Sequence, residues 1–302
     1  MNVPRQTRTA DREDTAHRLL ASSAKASFDP LVEIDWDAPV EKDRYAIRPE
    51  RISLYGTELW DRLTEEQRTE LSRQEVASIA SIGIWFETIL MQMLVRHAYD
   101  RDPTTDHVKY AYTEIADECR HSIMFAKMIE KLGAPFYALD RLAHLQGKLF
   151  KAVSNGPLTF SGALFVEEIL DQLQREAMVD ESLEPLVRAV SRIHVVEEAR
   201  HMRYAREELA RDWRTRGPLV RAYSRLALGI VVYYSATRLI NPRVYAKVGL
   251  DPRRARKAAR RNPHHIDTKT WAARKVVATM DRAGMIAGPG RFLWRAAGLL
   301  GR

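Results

Sequence analysis

Apolar residues recur every three or four positions through the middle of the chain, the period of helices with one buried face. Between Ser72 and Tyr99 that stripe is Ile79, Ile82, Trp85, Phe86, Ile89 and Met93. Thr64 with Gln67, and Ser72 with Glu75, have capping-box spacing, which predicts a short helix from Thr64 and a long one from Ser72. DRDPTTD at 100–106 breaks the pattern, and a second long helix is expected over 107–131, stopped by Gly133 and Pro135. Residues 133–156 read as helix then loop. Further helices are expected over 158–179 and 185–213, separated by a turn at 180–185, and from Pro218 to about Asn241. A basic helix and two shorter ones follow. No stretch alternates with the strand period, so the class is all-α. The prolines at 4, 30, 39 and 49 suggest an irregular N-terminal arm over 1–60, with room for short helices, leaving 61–302 as a single helical domain with basic C-terminal helices.

Composition sharpens this picture at three points. The 302 residues are 45% hydrophobic, enough for one sizeable core. A single cysteine, Cys119, excludes an internal disulfide framework and cysteine-ligated clusters, and it suits a cytoplasmic setting. Cys119 is expected to pack rather than react. The net charge of +8 gathers partly in RRARKAARRNPHH, 253–265, which raises nucleic-acid or anionic-membrane binding as an alternative of another class; a solvated helix face is the simpler reading. His264 and His265 lack carboxylate partners at ligand spacing. The apolar window 226–237 lies between Arg225 and Arg238 and is too short to span a bilayer. The first residues carry no signal-peptide core. Neither a nucleic-acid nor a membrane partner is expected.

Two Glu-x-x-His pairs carry the chemistry: Glu118 with His121 in ADECRHS, and Glu198 with His201 in VEEARHM. Three residues apart on a helix, the two side chains share one face and reach one metal. Di-iron carboxylate bundles combine two such motifs with one lone Glu from each of two further helices. Glu87, in SIGIWFETILM, and Glu167, in ALFVEEIL, fit that role. Glu87 and Glu118 are centred on residues 102–103, and Glu167 and Glu198 on 182–183, the middles of the two predicted turns. In two antiparallel hairpins each glutamate pair therefore sits level, about 23 Å from its turn at about 1.5 Å per residue. Glu168 competes with Glu167 but has Gln172 and Arg175 near it, and Glu197 competes with Glu198 but lacks the histidine. His194 shares a face with Glu198 and His201; spacing leaves it either a third imidazole ligand or a core histidine. Glu114 and Asp171 are candidates to orient ligands, against the plainer reading of surface acids. Phe86, Phe125 and Phe165 could exclude water, though core packing explains them equally. Carboxylate and imidazole donors suit iron or manganese.

Across residues 70–240 these motifs resemble the p-aminobenzoate N-oxygenase (AurF-like) family of the ferritin-like superfamily. The likeness rests on the lone Glu of the WFETIL segment, Glu118-x-x-His121, Glu167 and His194-x-x-x-Glu198-x-x-His201. It implies a ferritin-like four-helix bundle core with additional helices at both ends. It also implies a metal set of Glu87, Glu118, His121, Glu167, His194, Glu198 and His201, with His194 as the family's third histidine ligand. Two iron ions, or a manganese or mixed pair, would use O2 as co-substrate to oxygenate a small molecule, an amine above all. Iron oxidation, or another di-iron hydroxylase or desaturase-type activity, is the alternative. Phe125 stands where radical-generating relatives of the superfamily carry tyrosine, which excludes a tyrosyl radical there. With no Gly-x-Gly-x-x-Gly motif, electrons are expected from an external donor or reductase. The unused helical faces would allow a homodimer.

Overall fold

In the computed structural model, residues 12–301 are described, and they are helical throughout with no strand among them. The elements are α1 (Arg12–Lys25), α2 (Pro30–Glu33), a 3-10 turn at Pro49–Arg51, α3 (Glu58–Asp61), α4 (Glu65–Tyr99), α5 (Asp106–Lys131), α6 (Arg141–Val153), α7 (Pro157–Ala177), α8 (Pro185–Thr215), α9 (Pro218–Ala236), α10 (Arg243–Ala246), α11 (Pro252–Arg261), α12 (Pro263–Arg282) and α13 (Gly288–Ala296). Helices α4 and α5 form one hairpin and α7 and α8 another, and together they make a four-helix bundle. Additional helices pack at both ends of the chain: α1 lies against α5 and α8, α12 against α7, and α13 against α9.

Thr64 and Gln67 do form a capping box, but the helix they open runs unbroken to Tyr99. The expected second start at Ser72 is absent because its partners are elsewhere. Ser72 Oγ donates to Thr69 O and accepts from Ala46 N, and Glu75 accepts from Ser53 N and Oγ. Both residues tie the N-terminal arm to the bundle. By length and apolar composition α4 is the one described helix that could cross a membrane; here it is a bundle helix with Glu87 at its middle. The 133–156 segment holds a 13-residue helix, α6, capped by Asp140 at Ala143 N.

The arm, read as irregular with room for short helices, carries one sizeable helix. It contains the 14-residue α1, which buries Ala16, Leu19 and Ser23 against the bundle; that stripe is short enough to escape notice among the prolines that follow. Residues 1–11 of the arm lie outside the described residues.

The apolar core is split in two along the bundle. One cluster contains Phe86, Leu90, Tyr110, Leu164, Phe165, Met202 and Tyr204. The other contains Val76, Ala80, Met124, Phe125, Val187 and Ile193. Between them lies a layer of buried polar side chains at mid-height. Where α13 crosses α9 the backbones touch: a Cβ at Gly290 would stand 2.3 Å from Arg225 O, and one at Gly229 would stand 2.9 Å from Gly290 O. Gly290→Ala is therefore expected to force the two helices apart, at about 1–3 kcal/mol of stability. Chemical denaturation measures this; an unchanged midpoint would mean that the crossing is looser than described.

Candidate metal centre

The polar layer consists of side chains from four helices. Glu87 comes from α4, Glu118 and His121 from α5, Glu167 from α7, and His194, Glu198 and His201 from α8. All seven are buried, none more than 6% exposed. They fall into overlapping groups whose ligand atoms lie within 4.8 Å of one another: Glu87 with His121 and His194; Glu118 with His121 and Glu198; Glu167 with His194 and Glu198; and Glu114 with Glu118 and His201. The structure thus gathers all seven ligand candidates, with Glu114, expected only to orient ligands, close enough to Glu118 and His201 to share their group.

Glu198 Oε1 sits among all three imidazoles, 3.1 Å from His201 Nδ1, 3.3 Å from His121 Nδ1 and 3.6 Å from His194 Nε2. Glu118 lies 3.4 Å from His121 Nδ1 and 3.1 Å from His201 Nδ1. Glu87 is 3.7 Å from His194 Nε2 and accepts a 2.6 Å bond from Ser122 Oγ. Glu114 Oε2 and Glu198 Oε2 are buried with no hydrogen-bond partner among the described residues. Glu168, the rival of Glu167, instead pairs with Arg206.

Each motif histidine is held from behind by the other motif's helix. His121 turns Nδ1 inward, while its Nε2 meets Glu197 at 2.8 Å; His201 turns Nδ1 inward, while its Nε2 meets Asp117 at 3.1 Å. Asp117 precedes Glu118 and Glu197 precedes Glu198, so the exchange is reciprocal. Arg120 pairs with Asp117, and Arg200 lies 3.6 Å from Glu197 and 3.8 Å from Asp117. The segment after α1 closes this outer layer: Phe28 N donates to Glu197 Oε1, and Ala26 O accepts from Arg200. His194 faces the other way, with Nε2 inward and Nδ1 2.8 Å from Gln174 Oε1. Its ring stacks 4.9 Å from Phe125.

These outer partners were not singled out from the sequence, although a signal was present. Both motifs read acid–Glu–x–Arg–His, and the leading acid and the arginine are the outer pair. Glu197 was weighed only as a rival ligand. Asp171, considered as an orienting acid, instead binds Arg175 at 2.8 Å and lies near Lys275. Cys119, expected to pack, is exposed, with its thiol 3.4 Å from Met91 Sδ.

Charge decides what the layer can hold. Asp117 and Glu197 are matched by Arg120 and Arg200. No lysine or arginine pairs with the inner carboxylates Glu87, Glu118, Glu167 and Glu198 among the described residues; the only basic groups beside them are imidazoles. Burial, with Glu198, Glu118 and Glu87 nearby, drives the Glu167 carboxyl well above its usual range. Burial and Glu118 raise Glu87 as well, against the His194 hydrogen bond. Glu114 is pushed up to about 8, by burial first and then by Glu118 and Glu198. Burial would also raise Glu198, but His201 and His194 bring it well below the usual value. Two divalent cations would cancel four carboxylates and give the orphaned oxygens partners, so the donor set fits a pair of hard or borderline metal ions.

An apolar cavity of about 260 Å³ runs along α4 and α7, the helices that carry Glu87 and Glu167, and none of the seven candidate ligands lines it. Its wall includes Phe86 and Leu90 beside Glu87, and Ala163 and Val166 beside Glu167, with α6 and α9 closing the far side. No residue of α5 or α8 lines it.

Residues 9–284 match the family described as P-aminobenzoate N-oxygenase AurF. Two proteins described as uncharacterized, from Mycobacterium bovis and Mycobacterium tuberculosis, are each 31% identical over 199 residues, 63% of this chain and 58% of theirs. The chain thus spans a little over half the length of these curated relatives. Among solved structures, a variant of an R2-like ligand-binding oxidase with an anaerobically reconstituted Mn/Fe cofactor is 12% identical, with a TM-score of 0.41, covering 98% of this chain and 93% of that one.

The raised acids set a pH signature. A carboxyl that is higher folded than unfolded favours the fold at low pH, and loses that contribution as pH climbs from its unfolded value to its folded one. For Glu114 the window runs from 4.5 to about 8, and Glu87 and Glu167 have the same sign. Metal-free protein should therefore lose several degrees of melting temperature as pH rises across that window, whereas metal-loaded protein should lose clearly less. Calorimetry of both forms checks this; parallel curves would show that the cluster needs no cations.

Proposed function

The chain belongs to the p-aminobenzoate N-oxygenase AurF family, and on that premise we propose that it is a di-iron oxygenase acting on a small apolar substrate, with an amine nitrogen as the reacting atom. The observation that carries this reading is the buried carboxylate–histidine layer, together with an apolar cavity lined by Phe86, Leu90, Ala163 and Val166 of the two helices that carry Glu87 and Glu167. Glu87, Glu118, His121, Glu167, His194, Glu198 and His201 would hold the two metal ions. Iron, or a mixed manganese–iron pair, suits these donors. When bound, the metals supply the reduction and activation of dioxygen.

The protein's own groups set the conditions for that chemistry. Glu197 and Asp117 hold the two motif imidazoles with Nδ1 inward and keep the protonated nitrogen outward. Gln174 fixes the opposite tautomer at His194, leaving Nε2 toward Glu87 and Glu198. Because a third imidazole is neutral, it adds a donor without adding negative charge. Glu114 is buried beside Glu118 and His201, at the edge of the ligand set. Phe86, Ala163 and Val166 keep water from the substrate side and leave room for a flat or short-chain apolar body. The amine end would point between Glu87 and Glu167. Electrons come from outside the chain, from a reductase or small reductant. Iron oxidation alone, the rival activity, would have no use for an apolar cavity on the ligand side.

Two measurements test the reading. Glu118→Ala and His201→Ala should each lose bound metal and turnover together; two irons per chain in either variant contradicts the ligand set. Reduced, iron-loaded protein exposed to O2 with an arylamine should yield the hydroxylamine in a single turnover. His194→Ala should keep at least one metal while lowering that yield about tenfold or more. Oxygen uptake with no organic product from any amine supplied would sink the oxygenase.

A further inference from the structure

The mouth of the apolar cavity lies between α6 and α9. Leu149 and Val153 of α6, and Tyr223 and Ile230 of α9, line the cavity and are also 40–62% exposed. Around them the same two helices leave further large apolar side chains in solvent. On α6 these are Leu142 and Leu145; with Leu149 and Val153 they form one stripe at helical spacing. On α9 they are Leu219, Val220 and Leu226, with Leu219 at 85% exposure. Exposed large apolar side chains gathered on two helices around a cavity mark a contact site.

The charges on the two helices say what kind of surface covers it. Helices α6 and α9, 13 and 19 residues long, carry Arg141, Lys148, Lys151, Arg221 and Arg225 and no aspartate or glutamate. None of the five cations forms an ion pair among the described residues, although Arg221 and Arg225 donate to the carbonyls of Trp213 and Gly284 and Lys151 bonds Gln92. The nearest acid in the chain, Asp140, is engaged in capping α6 and in a 3.0 Å ion pair with Arg238. A second copy of the chain is a poor occupant: in a two-fold contact the same face meets itself, which sets five cations against five. A surface both apolar and anionic satisfies both features.

We propose that the α6–α9 face docks on an anionic lipid bilayer, its apolar side chains entering the headgroup region while Arg and Lys meet lipid phosphates. The cavity mouth then opens into the apolar layer, and the molecules it admits are membrane-dissolved apolar compounds. The docking stands on exposure and charge alone; that the cavity feeds a di-metal centre rests on the function proposed above. This peripheral contact differs from the expectation of no membrane partner, which weighed spanning helices and the basic stretch at 253–265.

The test is flotation of the full-length, metal-analysed protein with vesicles of phosphatidylcholine, alone or with about 30% phosphatidylglycerol. The protein should float with the anionic vesicles only and be released by about 0.5 M salt. Leu145→Glu and Leu219→Glu, which lie outside the cavity lining, should each lower the bound fraction about tenfold at unchanged helicity and metal content. Three results overturn the proposal: no flotation with either vesicle, flotation indifferent to both substitutions, or a sedimenting dimer that Leu145→Glu converts to monomer. The last would assign the face to a second copy. Since the readout is binding rather than turnover, a failed oxygenase assay leaves this result standing, and the reverse holds as well.

Discussion

A layer of ionisable groups in the middle of a helical bundle is the constraint on which everything else turns. Glu87, Glu118, Glu167 and Glu198 interrupt a core that is otherwise apolar above and below them. Leaving such carboxylates charged and unpartnered costs several kcal/mol each, and that cost accounts for the upward shifts of Glu87 and Glu167. A fold selected for stability alone would fill these positions with leucine. Their retention makes sense if cations complete the layer, which converts the largest unfavourable term in the core into its tightest set of contacts.

The outer layer follows from the same constraint. An imidazole facing a cation must present a free nitrogen, so its other nitrogen has to carry the proton and needs an acceptor. Asp117 and Glu197 meet that need across the bundle, each for the histidine on the opposite helix. Their charges in turn require Arg120 and Arg200, and those arginines require the carbonyl and hydroxyl groups of residues 26–28. The N-terminal arm is thus tied to the centre through three successive links. Mispositioning at Phe28 or Ala26 would be felt at His121 and His201 without any change in the ligands themselves.

Much of this arrangement was legible in the sequence because it depends on helical period and on symmetry of spacing. Two Glu-x-x-His motifs, with two lone glutamates equidistant from two turns, leave few packings open to a chain of long helices. Residues whose roles depend on contacts between distant segments were harder to read. Ser72 and Glu75 satisfy a local capping rule, yet tertiary bonds to Ala46 and Ser53 claim both side chains. Gln174 has no motif around it and acquires its role only because α7 lies beside His194. Asp171 shares the helical face expected of an orienting acid, but Arg175 and Lys275 lie closer to it than any imidazole. The acid preceding each motif glutamate was the readable exception: its doubling across two motifs marks it as part of the site rather than as surface.

The bundle also divides its labour between hairpin arms. Helices α5 and α8 carry both histidine motifs and are backed by the acid–arginine layer and by α1, which closes that side to solvent. Helices α4 and α7 contribute one glutamate each and otherwise present apolar side chains, and they alone among the four bundle helices line the cavity. A lone carboxylate has no second nitrogen to be held from behind, so its helix needs no charged outer layer and is free to face an apolar space. Electrostatic support and substrate access therefore compete for the surroundings of each ligand. The assignment of histidines to one side and single glutamates to the other lets both be met around one pair of ions.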